Sequence, residues 1–235
     1  MKSLIKNLVI LVSLLPAIFL FGSCNANEDA VAPETTATEK STLEEESLTL
    51  CCNLDPLPIE TLSQAETDAL LLMREEELLA RDVYTRLYTV YSMPVFKNIS
   101  KSEQQHSDVI LRLLNRNNLI DPAANHQPGI FVNQDLQALY TALVAQGEIS
   151  RIEALKVGAT IEDLDIRDLM DLVEEADNQD ILMVFANLTK GSRNHLRSFS
   201  KLLLRSGITY VPQYISPELY QWIITTPHER GCVNG

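Results

Sequence analysis

A glutamate and a histidine stand three residues apart inside a helical run of apolar residues, and this pair limits what the chain can fold into. The pair is Glu103 and His106, and Phe96, Ile99 and Ile110 recur around it at steps of three and four. Residues at that spacing share one face of an α-helix, so the carboxylate and the imidazole lie in the stripe that faces the core. Burying two polar groups costs free energy unless something binds them. The sequence therefore predicts other helices that bring further polar side chains to this pair.

Five segments have the apolar periodicity of amphipathic helices. We predict four long helices and one short helix, at about 63–91, 94–117, 150–175 and 179–205, and at 133–146. About 30 residues separate the second and third long helices, which is too long for a tight turn and fits a crossover. The predicted fold class is all-α, a four-helix bundle with a long crossover between helices two and three.

Inward-facing polar residues recur on all four predicted long helices. The candidate metal ligands are Glu76, Glu103, His106, Glu162, Asp165 and His195. Bundles that hold two metal ions use one Glu from each of two helices and a Glu-x-x-His from each of the other two. The second Glu-x-x-His is incomplete because residue 192 is Ser. Two roles stay open for Asp165, as the missing ligand or as an acceptor that holds His195.

The acidic run on the first helix offers more than one candidate. Leu72 and Leu79 flank Glu76, so Glu76 is the first choice for an inward-facing carboxylate, and Glu77 is the second. Glu75 is expected to face solvent.

Carboxylate oxygens and imidazole nitrogens suit iron, manganese or zinc, and an iron pair is the first expectation. Three hypotheses follow. The chain is a di-iron protein that reacts with oxygen or peroxide, a non-catalytic metal-binding module, or a protein whose polar seam only sets helix register.

The N-terminus has the pattern of a secretory signal. Lys2 and Lys6 precede an apolar run over residues 8–21. The following Leu20-Phe21-Gly22-Ser23-Cys24 resembles a bacterial lipoprotein processing site, which implies a lipid anchor on Cys24 and a location in the bacterial cell envelope. Plain secretion is the alternative. The predicted divisions are a signal peptide at 1–23, a flexible acidic linker at 24–60, the helical domain at 61–207 and a tail packed on the bundle at 208–235.

Three cysteines remain beyond Cys24, namely Cys51, Cys52 and Cys232. In an oxidising compartment they predict a bridge between the start and the end of the folded part, with the pairing left open. A soft-metal site at the vicinal pair is the weaker alternative.

The charge balance limits the partners. With 32 Asp and Glu against 19 Lys and Arg, the net charge is −13, which disfavours nucleic acid. The expected partners are a membrane through the lipid on Cys24, metal ions and, as a further candidate, a second copy of the chain.

Four separated motifs resemble one known family. They are MREEELLARDVY at 73–84, SEQQH at 102–106, the 158–166 stretch and GSRNHL at 191–196. In this order they are similar to the domain of unknown function 2202 family, which belongs to the ferritin-like superfamily. The resemblance covers about residues 63–205. It implies a ferritin-like bundle with candidate metal ligands, and it implies no particular reaction.

Overall fold

The structure, a computed structural model, describes residue 48 and residues 51–233, and this part of the chain is all-α, as predicted. Its helices are α1 (Gln64–Tyr91), α2 (Pro94–Arg116), α3 (Gln134–Gly147), α4 (Arg151–Glu175), α5 (Gln179–Arg205) and α6 (Pro217–Thr225). Within the described residues no strand forms, and a single isolated bridge joins Gln127 to Ile130.

Local signals set where α1 begins and ends. The Ser63 hydroxyl accepts from the Glu66 amide, and the Glu66 carboxylate accepts from the Ser63 amide, which forms a capping box. The other oxygen of Glu66 accepts from the amides of Asp177 and Asn178, so the same side chain fastens the start of α1 to the α4–α5 connection. Ser92 ends α1 in the left-handed region at φ 53°, and Pro94 begins α2.

The long helices pack as two neighbouring pairs. Short connections join α1 to α2 and α4 to α5, and each pair packs along its length. Contacts between α1 and α4 and between α2 and α5 join the two pairs, while α3 packs on α1 and α4, and α6 packs on α5. Every long helix therefore contacts two others, and polar residues on all four can meet.

Two apolar clusters fill the interior on either side of a polar layer. One cluster contains Tyr84, Phe96 and Phe199, whose rings lie 5.4–6.2 Å apart. The other contains Met73 and Ile110. Each long helix passes from one cluster to the other where its buried Glu, Asp or His residues lie, at 77, 103–106, 162–165 and 192–195. The polar residues thus form one layer across the middle of the four helices.

The crossover is fastened by a buried carboxylate. Glu75 is 5% exposed and accepts from the amides of Val132 and Asn133 at 2.7 Å and 3.2 Å, directly before α3. The expectation that Glu75 faces solvent is therefore wrong. The loop folds back over α1, and a carboxylate at a helix N-terminus is electrostatically favoured.

A disulfide joins the two ends of the described chain. Cys51 is bonded to Cys232, and Cys52 is a free, buried thiol. Residues 51–54, which the sequence places in the linker, pack against the core because Cys52 and Leu54 are apolar and buried with Leu70 and Ile110. Of the three cysteines whose pairing the sequence leaves undecided, Cys51 and Cys232 therefore form the bridge.

The C-terminal segment lies along α5. The Asn187 side chain donates to the Val233 carbonyl and accepts from the Val233 amide, and Asn194 makes the same two bonds with Glu229. Two asparagines seven residues apart, on one face of the helix, thus hold the tail's backbone in register.

The predicted signal peptide, Cys24 and residues 25–47 lie outside the described residues. Among those described, no helix has the length and the apolar character needed to cross a bilayer.

We expect Cys51→Ser to lower the free energy of unfolding by about 2–5 kcal/mol, because the bridge restrains a loop of 181 residues in the unfolded chain. Urea unfolding of the oxidised protein measures the change. The matched control is Cys232→Ser, which should cost the same, and the double variant should cost no more than either. Equal stability of Cys51→Ser and wild type would contradict the assignment of the bridge.

Candidate metal centre

Five buried side chains from the four long helices form two overlapping groups. Glu77, Glu103 and His106 make one group, and Glu103, Glu162 and His195 make the other. Within each group, one ligand atom per residue lies within 4.8 Å of the others. Two candidate positions for a cation therefore share one carboxylate.

Glu103 lies between the two imidazoles. Its Oε2 is 2.8 Å from Nδ1 of His106, and its Oε1 is 2.9 Å from Nδ1 of His195. The two rings stack with centroids 5.5 Å apart. Glu77 and Glu162 complete the groups, with carboxylate oxygens 3.2 Å and 3.3 Å from the same two nitrogens. Both histidines therefore present Nδ1 to the carboxylates.

The far sides of the ligand candidates are held by hydroxyl groups. Nε2 of His195 lies 3.0 Å from the Ser102 hydroxyl, which holds the ring with Nδ1 toward Glu103 and Glu162. The Tyr84 hydroxyl donates to Oε1 of Glu162 at 2.5 Å. Such contacts fix the orientation of ligands before a cation arrives.

Gly191 on α5 makes room for the His106 ring. A Cβ at residue 191 would lie 2.6 Å from Nε2 and 2.7 Å from Cε1 of that ring. The GSRNHL motif thus supplies both His195 and a glycine that leaves space for the His106 ring. Any larger residue at 191 would push the imidazole away from Glu103.

The buried atoms of the centre are incompletely satisfied by the protein. Among the described residues, Oε1 of Glu77, Oε1 of Glu103 and Nδ1 of His195 make no hydrogen bond, although the last two lie 2.9 Å apart. Their short separation is not aligned as an N–H···O bond, and an unpaired buried polar atom is costly. Carboxylate oxygens and imidazole nitrogens left open in this way fit first-row divalent metal ions.

Electrostatics keep protons in the centre when no cation is bound. Burial raises the pKa of Glu77 to about 7, although His106 opposes it. Burial and then the Glu103 charge raise the pKa of Glu162 to about 8. Burial acts in the same direction on Glu103, but His195 and His106 outweigh it and hold its pKa below the usual value.

The imidazoles carry the compensating positive charge. Burial lowers the pKa of His195, but Glu103 and Glu162 outweigh it and raise the pKa to about 10. Glu77 and Glu103 likewise raise the pKa of His106 well above its usual value against the effect of burial. Protons thus occupy the place that cations would take, and cation binding releases them.

The structure brings together four of the six predicted ligands, Glu103, His106, Glu162 and His195, and adds Glu77. Glu76 and Asp165 lie beside these groups and belong to neither. Glu77 is preferred to Glu76 because its seam with Met73, Ala80 and Tyr84 is buried throughout. Residue 192, where a second Glu-x-x-His would need a Glu, is Ser, and its hydroxyl donates to the Asp165 carboxylate.

His126 in the crossover has a side chain that is 9% exposed and has an acidic partner. Its Nε2 lies 2.8 Å from Oδ2 of Asp82, whose other oxygen accepts from Arg81. These three residues line a cleft of about 600 Å³ on the outer face of α1 and α2, and none of the five residues of the two metal-ligand groups lines it.

Comparisons with known proteins agree with the motifs. The family model described as "Uncharacterized protein domain (DUF2202)" matches residues 66–227. The uncharacterized protein MJ0754 of Methanocaldococcus jannaschii is 49% identical over 178 residues, which are 76% of this chain and 96% of the relative. A crystal structure of the hypothetical protein MJ0754 from Methanococcus jannaschii DSM 2661 aligns with a TM-score of 0.73, covering 74% of this chain and 99% of that one. The chain belongs to the DUF2202 family.

Proposed function

We propose that the chain is a ferritin-like four-helix protein that holds two metal ions, with iron as the first candidate and manganese or zinc as alternatives. One observation carries the proposal: the Glu103 carboxylate faces Nδ1 of His106 with one oxygen and Nδ1 of His195 with the other. A carboxylate shared in this way suits a bridging ligand between two cations. Glu77 and His106 would complete one position, and Glu162 and His195 the other.

The protein's own residues set what the centre can do. Glu77, Glu103, His106 and Glu162 are almost wholly buried, and the His195 side chain is 11% exposed. Such burial excludes bulk water and admits small reactants such as dioxygen, peroxide or a metal ion rather than a large organic substrate. Tyr84 and Ser102 keep Glu162 and His195 in place while charge changes.

A bound iron pair would supply the redox chemistry for oxidase or peroxidase-type reactions on small reactants. A non-catalytic metal-binding module is the second candidate, favoured by the burial of the centre, where 11% of the His195 side chain is exposed. Oxygen consumption on addition of Fe(II) separates the two. We also propose that the protein is anchored in a bacterial envelope through a lipid on Cys24, on the strength of the N-terminal sequence alone.

Metal stoichiometry tests the shared carboxylate. We expect wild type to bind two ions, His106→Ala and His195→Ala to bind one each, and Glu103→Ala to bind none, because only Glu103 serves both positions. Elemental analysis after reconstitution of chelator-treated protein gives the counts. His126→Ala and Glu75→Gln are matched controls, a buried His and a buried Glu outside the centre, and should bind two. Fewer than two ions per wild-type chain would overturn the proposal.

Replacing Gly191 tests the room made for His106. We expect Gly191→Ala to weaken metal binding by about 10- to 100-fold, because the new Cβ displaces the imidazole from Glu103. The control is Gly158→Ala, whose Cβ would lie 2.4 Å from Phe199 instead. Both variants should lose about 1–3 kcal/mol of stability through overpacking. Titration with Co²⁺ should separate them, and equal affinities would argue against the His106 position.

The pKa values predict opposite pH responses with and without metal. The pKa values of Glu77, Glu162 and His195 are higher in the metal-free fold than in the unfolded chain, where they are near 4.5 for Glu and 6.5 for His. The resulting stabilisation is fully present at pH values below those of the unfolded chain. That stabilisation is lost as pH rises through about 7, 8 and 10, so the free energy of unfolding of the metal-free protein should fall between pH 6 and 9. Metal-loaded protein should instead gain stability relative to the metal-free form over this range, because binding releases protons. Urea unfolding at each pH measures both, and parallel curves would contradict the prediction.

A further inference from the structure

A row of acidic residues winds along α4 from the centre toward the surface. Glu162, Asp165, Asp168 and Asp171 are spaced three residues apart. Each step of three residues falls about 60° short of a full helical turn. Over the three steps from Glu162 to Asp171 the row therefore moves about 180° around α4 and rises about 13 Å along its axis. Glu162 is 2% exposed, and the Asp171 side chain is 19% exposed. The row therefore begins at the candidate metal centre and ends in solvent.

Two carboxylates of α1 face the middle of this row. The charges that act on Glu76 are those of Asp168, Asp165 and Glu77, and Glu77 is the strongest charge acting on Asp165. Glu77 is 2% exposed with Oε1 unpaired, and Oε2 of Glu76 is also buried without a hydrogen bond among the described residues. Both oxygens therefore lack a donor, and His106 is the one positive group among the charges that act on Glu77 and Asp165.

Glu77 pairs through Oε2 with Nδ1 of His106, whereas Glu76 and Asp165 have no ion pair among the described residues. One basic residue stands at the outer end of the row. Arg167 lies 2.6 Å from Asp171 and is 47% exposed, so it can swing into solvent. Within the centre, His195 has 11% of its side chain exposed, and its Nε2 contacts the Ser102 hydroxyl. A cation approaching from solvent is attracted to the α4 row.

We propose that this row is the route by which a divalent cation passes between solvent and the buried centre, pausing among Glu76, Asp165 and Asp168. The inference rests on the proposed dinuclear centre. Side chains three residues apart on a helix have Cβ atoms about 5–6 Å apart, so a cation leaving one carboxylate meets the next without crossing apolar surface. Each carboxylate neutralises part of the charge in a buried space where a bare ion would be costly.

Stopped-flow loading of the metal-free full chain with Co²⁺ at low ionic strength tests the route, with visible absorption as the signal. We expect Asp171→Asn and Asp168→Asn to slow loading about tenfold or more, while the number of Co²⁺ ions bound at saturation stays at the wild-type value. Arg167→Gln should speed loading several-fold. Asp108→Asn is the control, because it removes the same charge from an exposed position on α2, and its rate should stay within twofold of wild type.

The outcomes separate the route from the centre. Wild-type rates in Asp171→Asn and Arg167→Gln would overturn the route, and these two exposed positions decide the matter if Asp168→Asn does not fold. Loss of bound Co²⁺ at saturation in Asp171→Asn or Asp168→Asn would also overturn it, since those carboxylates would then be ligands. A wild-type chain that binds no Co²⁺ at equilibrium would instead reject the proposed centre. An equal slowing in Asp108→Asn would reduce the effect to general electrostatic attraction and overturn the route.

Discussion

The position of one carboxylate between two imidazoles determines how this molecule is built. Glu103 on α2 faces His106 one turn along its own helix and His195 on α5, so its carboxylate meets both imidazoles only if those helices meet at this level. Glu77 and Glu162 then bring α1 and α4 to the same level. An error of one turn in any helix would leave charges buried without partners, at a cost of several kcal/mol. The polar layer therefore sets the register of all four long helices.

Apolar packing above and below the layer offsets the free-energy cost of burying its charged side chains. The cluster around Tyr84, Phe96 and Phe199 and the cluster around Met73 and Ile110 supply the hydrophobic burial that a layer of charges cannot. Hydroxyl groups from Tyr84 and Ser102 bind the outer atoms of Glu162 and His195. The inner atoms, Oε1 of Glu77, Oε1 of Glu103 and Nδ1 of His195, make no hydrogen bond among the described residues.

Much of this arrangement is readable in the sequence, because helix period and capping act locally. The helix ends predicted from the apolar periodicity agree with the structure within one or two residues. Glu103 and His106 were identifiable because each lies on a single clear stripe. The run of three glutamates was harder, since residues 75, 76 and 77 differ by only 100° each around the helix. Which one enters the centre depends on how α1 is rotated against α4.

Long-range contacts account for what the sequence did not show. Glu75 is buried because a loop some 57 residues later folds back on it, and His126 because the same loop reaches Asp82. Gly191 had no visible role until the ring of His106 was placed against it. None of these partners is near its target in the chain, so neither periodicity nor spacing could have assigned them.

The bridge between Cys51 and Cys232 has a mechanical consequence. It encloses the six helices from Gln64 to Thr225 in one covalent ring, and it holds the Cα atoms of the two cysteines 4.9 Å apart. Tension applied between Cys51 and Cys232 passes through the sulfur–sulfur bond and is not carried by the helices. A load on the ends of the folded part would therefore leave the register of the polar layer undisturbed for as long as the bridge stays oxidised.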